Sequence, residues 1–212
     1  MRIIEGEDDL AEGVAHLIAV EPRFAKAMEA IGKPPLRRRA PGFASLLQII
    51  VGQQVSVAAA DGIWRRVAEG GADTPERVLA MEDEDLRALG LSRPKVRYAK
   101  AIAAAMGDGS LDLDACATGE VEDAMRMLTA VTGIGTWTAE IYLMFCVGRA
   151  DIFADKDLAL QESARVLFDL EARPDPRTLS VMAEAWSPWR GVAARVLWSY
   201  YRVAKGREGV SA

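Results

Sequence analysis

From Leu128 to Ala139 the chain reads LTAVTGIGTWTA: an apolar helix end, the tripeptide Gly133-Ile134-Gly135, and a threonine-rich start to the next segment. Two glycines bracketing one isoleucine predict a tight helix-to-helix turn, because such a turn needs backbone angles that glycine reaches cheaply. Ile134 is the residue to plug that turn into a core. Bare backbone at Gly133 and Gly135 also lets an anion approach, and the first amides of the next helix supply donors and a favourable dipole. A glycine stop before a new helix is common in helical proteins, so the string alone establishes a turn and little more.

Working outward, Leu, Ala, Val and Ile recur at helical spacing almost throughout, and no sustained period-2 alternation interrupts them, which predicts an all-α fold. Phe43, Leu46, Leu47 and Ile50 form an i, i+3, i+4, i+7 stripe after Pro41-Gly42. A second helix starts near Ser56, a good N-cap, and carries Ile63, Trp64 and Val67. Thr74-Pro75 reads as N-cap and first helical residue, Gly90 as a stop, and Ser92 with Pro94 as the opening of a long helix through Met106. The polar stretch Gly107 to Glu120 reads as a connector. Two helices flank the glycine turn, and others are expected at about 157–170, 178–186 and 190–205. Trp64, Trp186 and Trp189 are read as core.

Half of the 212 residues are hydrophobic, enough for one sizeable core or two small helical subdomains. Cys116 and Cys146 are too few for a tetracysteine site, and a lone His16 cannot supply a histidine cluster, so protein-bound transition-metal chemistry is not expected. The opening MRIIEGEDDL is acidic, and no apolar run approaches the ~20 residues that span a bilayer, so a cytoplasmic protein without membrane association is expected. A net charge of −5 and a pI near 5.1 argue mildly against a broad basic surface. The charges are nonetheless uneven. Arg37 to Arg39, Arg65 with Arg66, and Arg93, Lys95, Arg97 and Lys100 cluster apart from the acids, leaving room for a local basic face.

Twenty residues beyond Trp137, the segment Asp151-Ile-Phe-Ala-Asp-Lys-Asp157 leads into Leu158-Ala-Leu160-Gln161, which places an aspartate at a helix start. That position usually means only an N-cap. Together with the glycine turn, the loop Gly52-Gln-Gln-Val-Ser56 and the run Pro188 to Trp198, it resembles the helix-hairpin-helix DNA glycosylase superfamily. The branch it looks most like is DNA-3-methyladenine glycosylase II, and the likeness runs from about Pro41 to Tyr201. The resemblance implies a helix-hairpin-helix glycosylase fold over 1–212, with two helical subdomains flanking a cleft that holds the active site. About 1–40 with 136–212 would form the terminal-helix subdomain, and about 41–135 the middle-helix subdomain leading into the hairpin (128–139). The additional N-terminal β-rich domain carried by some relatives is not expected here, only the helical core. The implied activity is that of a monomeric, monofunctional DNA N-glycosylase of base excision repair. It would flip alkylated purines of the 3-methyladenine and 7-methylguanine type out of double-stranded DNA, in bacteria on the nucleoid.

The same resemblance assigns roles. Asp157 is the catalytic carboxylate, with Asp155 the competitor; the Leu158 to Gln161 continuation favours Asp157. Cleavage develops positive charge on the deoxyribose, which a carboxylate beside it stabilises, or it orients the attacking water. Trp137, Trp198 and Ile141 are the base-pocket positions, Ile141 standing where some relatives carry an aromatic. Indoles suit cationic alkylated bases, which depart neutral and need no strong general acid. Bifunctional relatives place a Schiff-base lysine where this chain has Trp137, so no strand-cleaving lyase is expected. The DNA contacts would be Gly133, Ile134, Gly135, Thr136 and Thr138, with Gln53, Gln54 and Ser56 in the loop that inserts a side chain, Gln54, into the vacated stack. Backbone carbonyls of Thr129, Val131 and Ile134 match positions that hold a monovalent cation, Na+ or K+; no other cofactor is expected. Rival readings are a non-catalytic sensor of damaged DNA, a glycosylase for hypoxanthine, uracil or etheno-adducts, and a helical interaction protein whose glycine turn is purely structural.

Overall fold

The computed structural model describes residues 2–206, which form helices and one isolated antiparallel bridge, Ile3 to Arg149. The described residues fall into two compact units, one of residues 39–147 and one of 2–38 with 148–206. The sequence placed the second boundary near 135. It lies later because the helix after the glycine turn runs without a break into a π-helical turn, Leu143–Val147, whose five residues are all buried. The chain reverses only at Gly148, with φ +88°, where a Cβ would come 2.8 Å from the carbonyl oxygen of Ile4.

Helices α1 (Glu7–Val20) and α2 (Arg23–Ile31) open the chain. Asp9 accepts from the amides of Glu5 and Gly6 at 2.9 and 3.0 Å, bonds that hold its carboxyl below its ordinary pKa. In the middle unit, α3 (Phe43–Gly52) buries the predicted stripe, and α4 (Val57–Glu69) begins where Ser56 Oγ accepts from Ala59 N at 3.3 Å. Trp64 departs from expectation. It is only half-buried, because α4 sinks Val67 fully and little else. Thr74 caps α5 (Pro75–Ala80), the backbone extends at Met81, and α6 (Asp83–Ala88) follows before Gly90 turns the chain at φ +104° into α7 (Arg93–Gly107).

The expected connector at 107–120 contains a helix, α8 (Leu113–Thr118). Asp112 supplies its cap, accepting from Asp114 N and Ala115 N at 2.9 Å, and buried Leu113 and Cys116 pack it against α9 (Val121–Thr129). Next comes α10 (Thr136–Tyr142), antiparallel to α3 and joined to it at both ends. Gly42 N donates to the Tyr142 hydroxyl at 3.0 Å, and Gln53 Nε2 donates to Thr138 Oγ1 at 2.7 Å. Burial pushes the Tyr142 hydroxyl pKa up.

In the terminal unit the N-terminus lies along the segment after Gly148, Ile4 N reaching Gly148 O at 2.7 Å and Ala150 N reaching Arg2 O at 3.0 Å. Helices α11 (Leu158–Leu167), α12 (Pro176–Glu184) and α13 (Arg190–Lys205) complete it. Helix α12 starts two residues earlier than predicted, since Asp175 caps it by accepting from Thr178 N at 2.7 Å and Pro176 fits its first turn. Trp186 and Trp189, each 2% exposed, are core as expected. Trp186 meets Phe24 edge-on at 5.3 Å and Phe168 at 5.6 Å. Among the described residues no helix is long and apolar enough to cross a membrane.

Gly13 of α1 allows the close approach of α13. A Cβ there would lie 2.6 Å from Val192 Cγ2 and 2.9 Å from Trp189 Cε3. Alanine at a helical glycine returns about 0.5–1 kcal/mol, whereas overpacking costs about 1–3 kcal/mol, so Gly13→Ala is expected to destabilise by about 1–2 kcal/mol. A lower urea midpoint at unchanged slope checks this; a raised midpoint contradicts it.

Candidate active site

The segment from Asp151 to Asp157 is held by α11, by α13 and by Trp186 and Ser187 just before α13. At one end Asp151 takes a two-pronged ion pair from Arg190, with Nε to Oδ1 at 2.7 Å and Nη2 to Oδ2 at 2.9 Å, and Ser187 Oγ adds a bond at 2.9 Å. Burial alone would raise this carboxyl's pKa; the Arg190 and Ser187 bonds outweigh it and hold it low. Phe153 then stands edge-on to Trp186 at 5.5 Å, and Gln161 Nε2 donates to the Asp155 carbonyl at 2.8 Å.

At the other end Asp157 caps α11. Its Oδ1 accepts from Ala159 N at 2.9 Å, Leu160 N at 3.0 Å and the indole Nε1 of Trp198 at 3.2 Å. Ser163 Oγ, bonded to Leu197 O at 2.6 Å, ties α11 to α13 one residue before that tryptophan. The group is half-buried, and Leu158 beside it is 61% exposed. A carboxylate in that setting is held in one orientation within reach of an incoming molecule. Trp198, expected as a stacking ring, is 5% exposed and spends its N–H on Asp157. Asp155, the competitor, has its backbone in the same anchored turn.

The glycine turn forms the second candidate region, in the middle unit. Gly133 has φ +99° and rests on Tyr98, whose Cγ would lie 2.3 Å from a Cβ at that position. Gly135 differs: its φ of −85° suits any residue, and a Cβ there would meet nothing within 4 Å. Conformation therefore requires the first glycine, while the second leaves open space before the start of α10. The first i→i−4 bond of that helix runs from Ala139 N to Gly135 O at 3.0 Å, and Thr136, Trp137 and Thr138 precede it at the helix start. Ile134 is 4% exposed and serves as the expected plug, with its N–H on Val131 O at 3.1 Å. A groove of about 610 Å³ gathers Gln53, Tyr98, Thr129, Val131, Gly133, Ile134, Gly135, Trp137 and Thr138. The three residues expected to offer carbonyls to a monovalent cation thus line one groove, an oxygen-donor set that fits such an ion.

Other expected contacts are placed differently. Ile141 is 1% exposed, because its side of α10 faces the core, and does not line the groove. Thr138 is 2% exposed and its hydroxyl accepts from Gln53; Ser56 Oγ is used as a helix cap. Thr136 is half-buried. Gln54 is exposed with φ +58°, a left-handed conformation rare for glutamine, and Val55 beside it is 39% exposed.

Residues 47–190 match the family described as HhH-GPD superfamily base excision DNA repair protein. The chain belongs to that superfamily. DNA-3-methyladenine glycosylase 1 of Schizosaccharomyces pombe is 28% identical over 92% of this chain and 89% of its own length. DNA-3-methyladenine glycosylase 2 of Escherichia coli is 29% identical, the match covering 76% of this chain and 59% of that protein. A 30% identical relative from Bacillus subtilis is matched over only 46% of its length. Among solved structures, a DNA-3-methyladenine glycosidase from Bacillus halodurans superposes with a TM-score of 0.79 at 30% identity, covering 99% of this chain and 97% of that one. The S. pombe 3-methyladenine DNA glycosylase in complex with abasic DNA gives 0.79 at 26% identity over 92% and 97%.

Within this HhH-GPD chain the sequence missed two residues, Tyr98 beneath the turn and Lys95 one helical turn earlier. The signal was present as the basic run on α7, read as a surface face. Lys100 of that run is ion-paired with Asp83, and Lys95 Nζ is turned onto the carbonyls of Val51 and Gln53 at 2.7 and 2.9 Å. Positive φ and the Tyr98 contact together predict that Gly133→Ala lowers stability by roughly 2–4 kcal/mol, while Gly135→Ala stays within about 0.5 kcal/mol of wild type. Denaturant unfolding of the pair measures the contrast, and equal losses would refute it.

Proposed function

We propose that the protein is a monofunctional DNA N-glycosylase of base excision repair, acting as a monomer on double-stranded DNA to release alkylated purines of the 3-methyladenine and 7-methylguanine type. The observation that carries this is the convergence of three donors on Oδ1 of Asp157, in a superfamily member whose relatives are named for 3-methyladenine. As the base departs, positive charge grows on the deoxyribose. A carboxylate held in one orientation stabilises that charge, or orients water, without reorganising at the moment of reaction. Purines methylated on N3 or N7 are cationic, so they leave neutral and require no strong acid. The half-exposed Trp137 indole provides their stacking surface, worth about 0.5–2 kcal/mol of cation–π attraction.

The amides at the start of α10, reached over the open side of Gly135, take a DNA phosphate. This lets a chain of net charge −5 hold DNA with few lysines. A monovalent cation, held by the carbonyls of Thr129, Val131 and Ile134, would add positive charge beside that phosphate. Gln54 fills the gap left by the extruded base, whose removal from the stack costs a few kcal/mol. Trp137 occupies the position of the Schiff-base lysine, and Lys95 is committed to two carbonyls, so base removal leaves the strand intact.

Asparagine is as good an N-cap as aspartate, so Asp157→Asn should fold and bind DNA normally. Release of 3-methyladenine and 7-methylguanine from methylated duplex should fall about 10²–10³-fold. Borohydride should trap no covalent complex with wild type. Wild-type binding without release would replace this reading with a damage sensor, and release of hypoxanthine or uracil instead would reassign the lesion.

Trp198→Phe keeps an aromatic ring and removes the N–H. If orienting Asp157 is its role, kcat drops about tenfold, the worth of one hydrogen bond to a charged group, with KM unchanged. A kcat at the wild-type level would return Trp198 to a packing or stacking role.

A further inference from the structure

Lys95 lies in the basic run of α7, yet its ammonium points inward. Nζ donates to Val51 O at 2.7 Å and Gln53 O at 2.9 Å, at the C-terminal end of α3. Those carbonyls belong to the last turn of the helix and to its cap residue, where helical partners run out and a cation meets the negative end of the dipole. Burial pushes the Lys95 pKa down.

The next residue is Gln54, exposed and at φ +58°. A non-glycine residue in that region persists only where its surroundings over-determine the backbone. Three bonds converge immediately before it. Lys95 fixes the carbonyl of the peptide that joins Gln53 to Gln54, and with it the plane about which φ of Gln54 is measured. It also fixes Val51 two residues earlier, and the Gln53 side chain is held by Thr138 at 2.7 Å. With these removed, Gln54 would relax to an ordinary conformation and its side chain would leave the direction it now takes.

We propose that Lys95 is a positioning residue that locks the Gln53-Gln54 loop, presenting Gln54 in the geometry that enters the DNA stack, and that it is not a phosphate ligand. This rests on the wedge role proposed for Gln54. The cost of losing the lock is therefore felt only while residue 54 has a side chain to insert.

The test is a double-mutant cycle on the full chain, read by binding to duplex DNA that carries a tetrahydrofuran abasic analogue opposite 2-aminopurine. Binding is followed by anisotropy and base unstacking by 2-aminopurine fluorescence. Lys95→Met is expected to weaken binding about tenfold and to lower the fluorescence change to the level of Gln54→Ala. In a Gln54→Ala background it should cost less than about twofold. The slope of log affinity against log salt should stay that of wild type, since no phosphate contact is lost. An equal loss in both backgrounds, no loss in either, or a slope reduced by about 1 overturns the proposal. If Lys95→Met fails to fold, Lys95→Gln carries the same cycle, because its amide nitrogen ends one bond short of the Lys95 Nζ position and cannot reach both carbonyls. Wild-type protein that binds this duplex but releases no 3-methyladenine defeats the glycosylase reading and leaves the cycle able to decide the role of Lys95.

Discussion

The N–H groups of Ala159, Leu160 and Trp198 meet on one oxygen of Asp157, and that convergence makes a structural group and a chemical group the same atom. As a helix cap the carboxylate satisfies two amides that α11 leaves without partners. As a charged acceptor it is fixed in direction by α13 as well. Arg190 and Trp198 are eight residues apart, about 12 Å along the axis of α13. They grip Asp151 and Asp157, the two ends of one short segment. The position of the carboxylate is therefore set by a sixteen-residue helix whose packing against α2 and α11 is the main core of its unit, not by a flexible loop.

Charge in the middle unit is arranged differently. Much of the positive charge that the sequence clusters on α7 and its neighbours is spent inside the molecule: Lys100 on Asp83, Lys95 on α3, Arg66 Nε on the Leu89 carbonyl. Arg65, Arg93 and Arg97 stay exposed, so side-chain charge stands beside the backbone of the turn. Peptide dipoles at a helix start act at close range and in fixed directions, so they serve where shape must be matched as well as charge. Gly133, seated on Tyr98, sets the turn that aims them, and Gly135 keeps the approach clear.

Features that depend on neighbours in sequence were the legible ones: the α3 stripe, the Ser56 and Thr74 caps, the glycine turn and the aspartate at the head of α11. Features that depend on partners far along the chain were not. Helix α8 has six residues, too few for a periodic signal, and exists because Leu113 and Cys116 find α9. Lys95 and Lys100 are indistinguishable in sequence, yet one turns to a carbonyl cage and the other to a surface aspartate. Trp198 was legible as a residue, but a pattern shows only that an indole is present and not where its N–H points. Ile141 was taken from a family position where some relatives carry an aromatic, and in this chain the side chain is 1% exposed.

The two groups proposed to act on DNA, Gln54 and Asp157, differ in how freely they can vary. The loop holding Gln54 is fixed by the carbonyls of Val51 and Gln53, the Gln53 side chain, and the Tyr142 bond at the far end of α3; the Gln54 side chain contributes to none of these. Residue 54 can therefore change while the loop that presents it stays put, provided the new residue tolerates positive φ. Asp157 has no such freedom. Substituting it with a residue that cannot accept the two amides costs about 1 kcal/mol at the helix start before any chemistry is considered, which leaves asparagine or serine as the replacements that isolate the catalytic loss. Under the proposed roles, coupling of cap to catalyst protects one site against drift, and its absence opens the other to it.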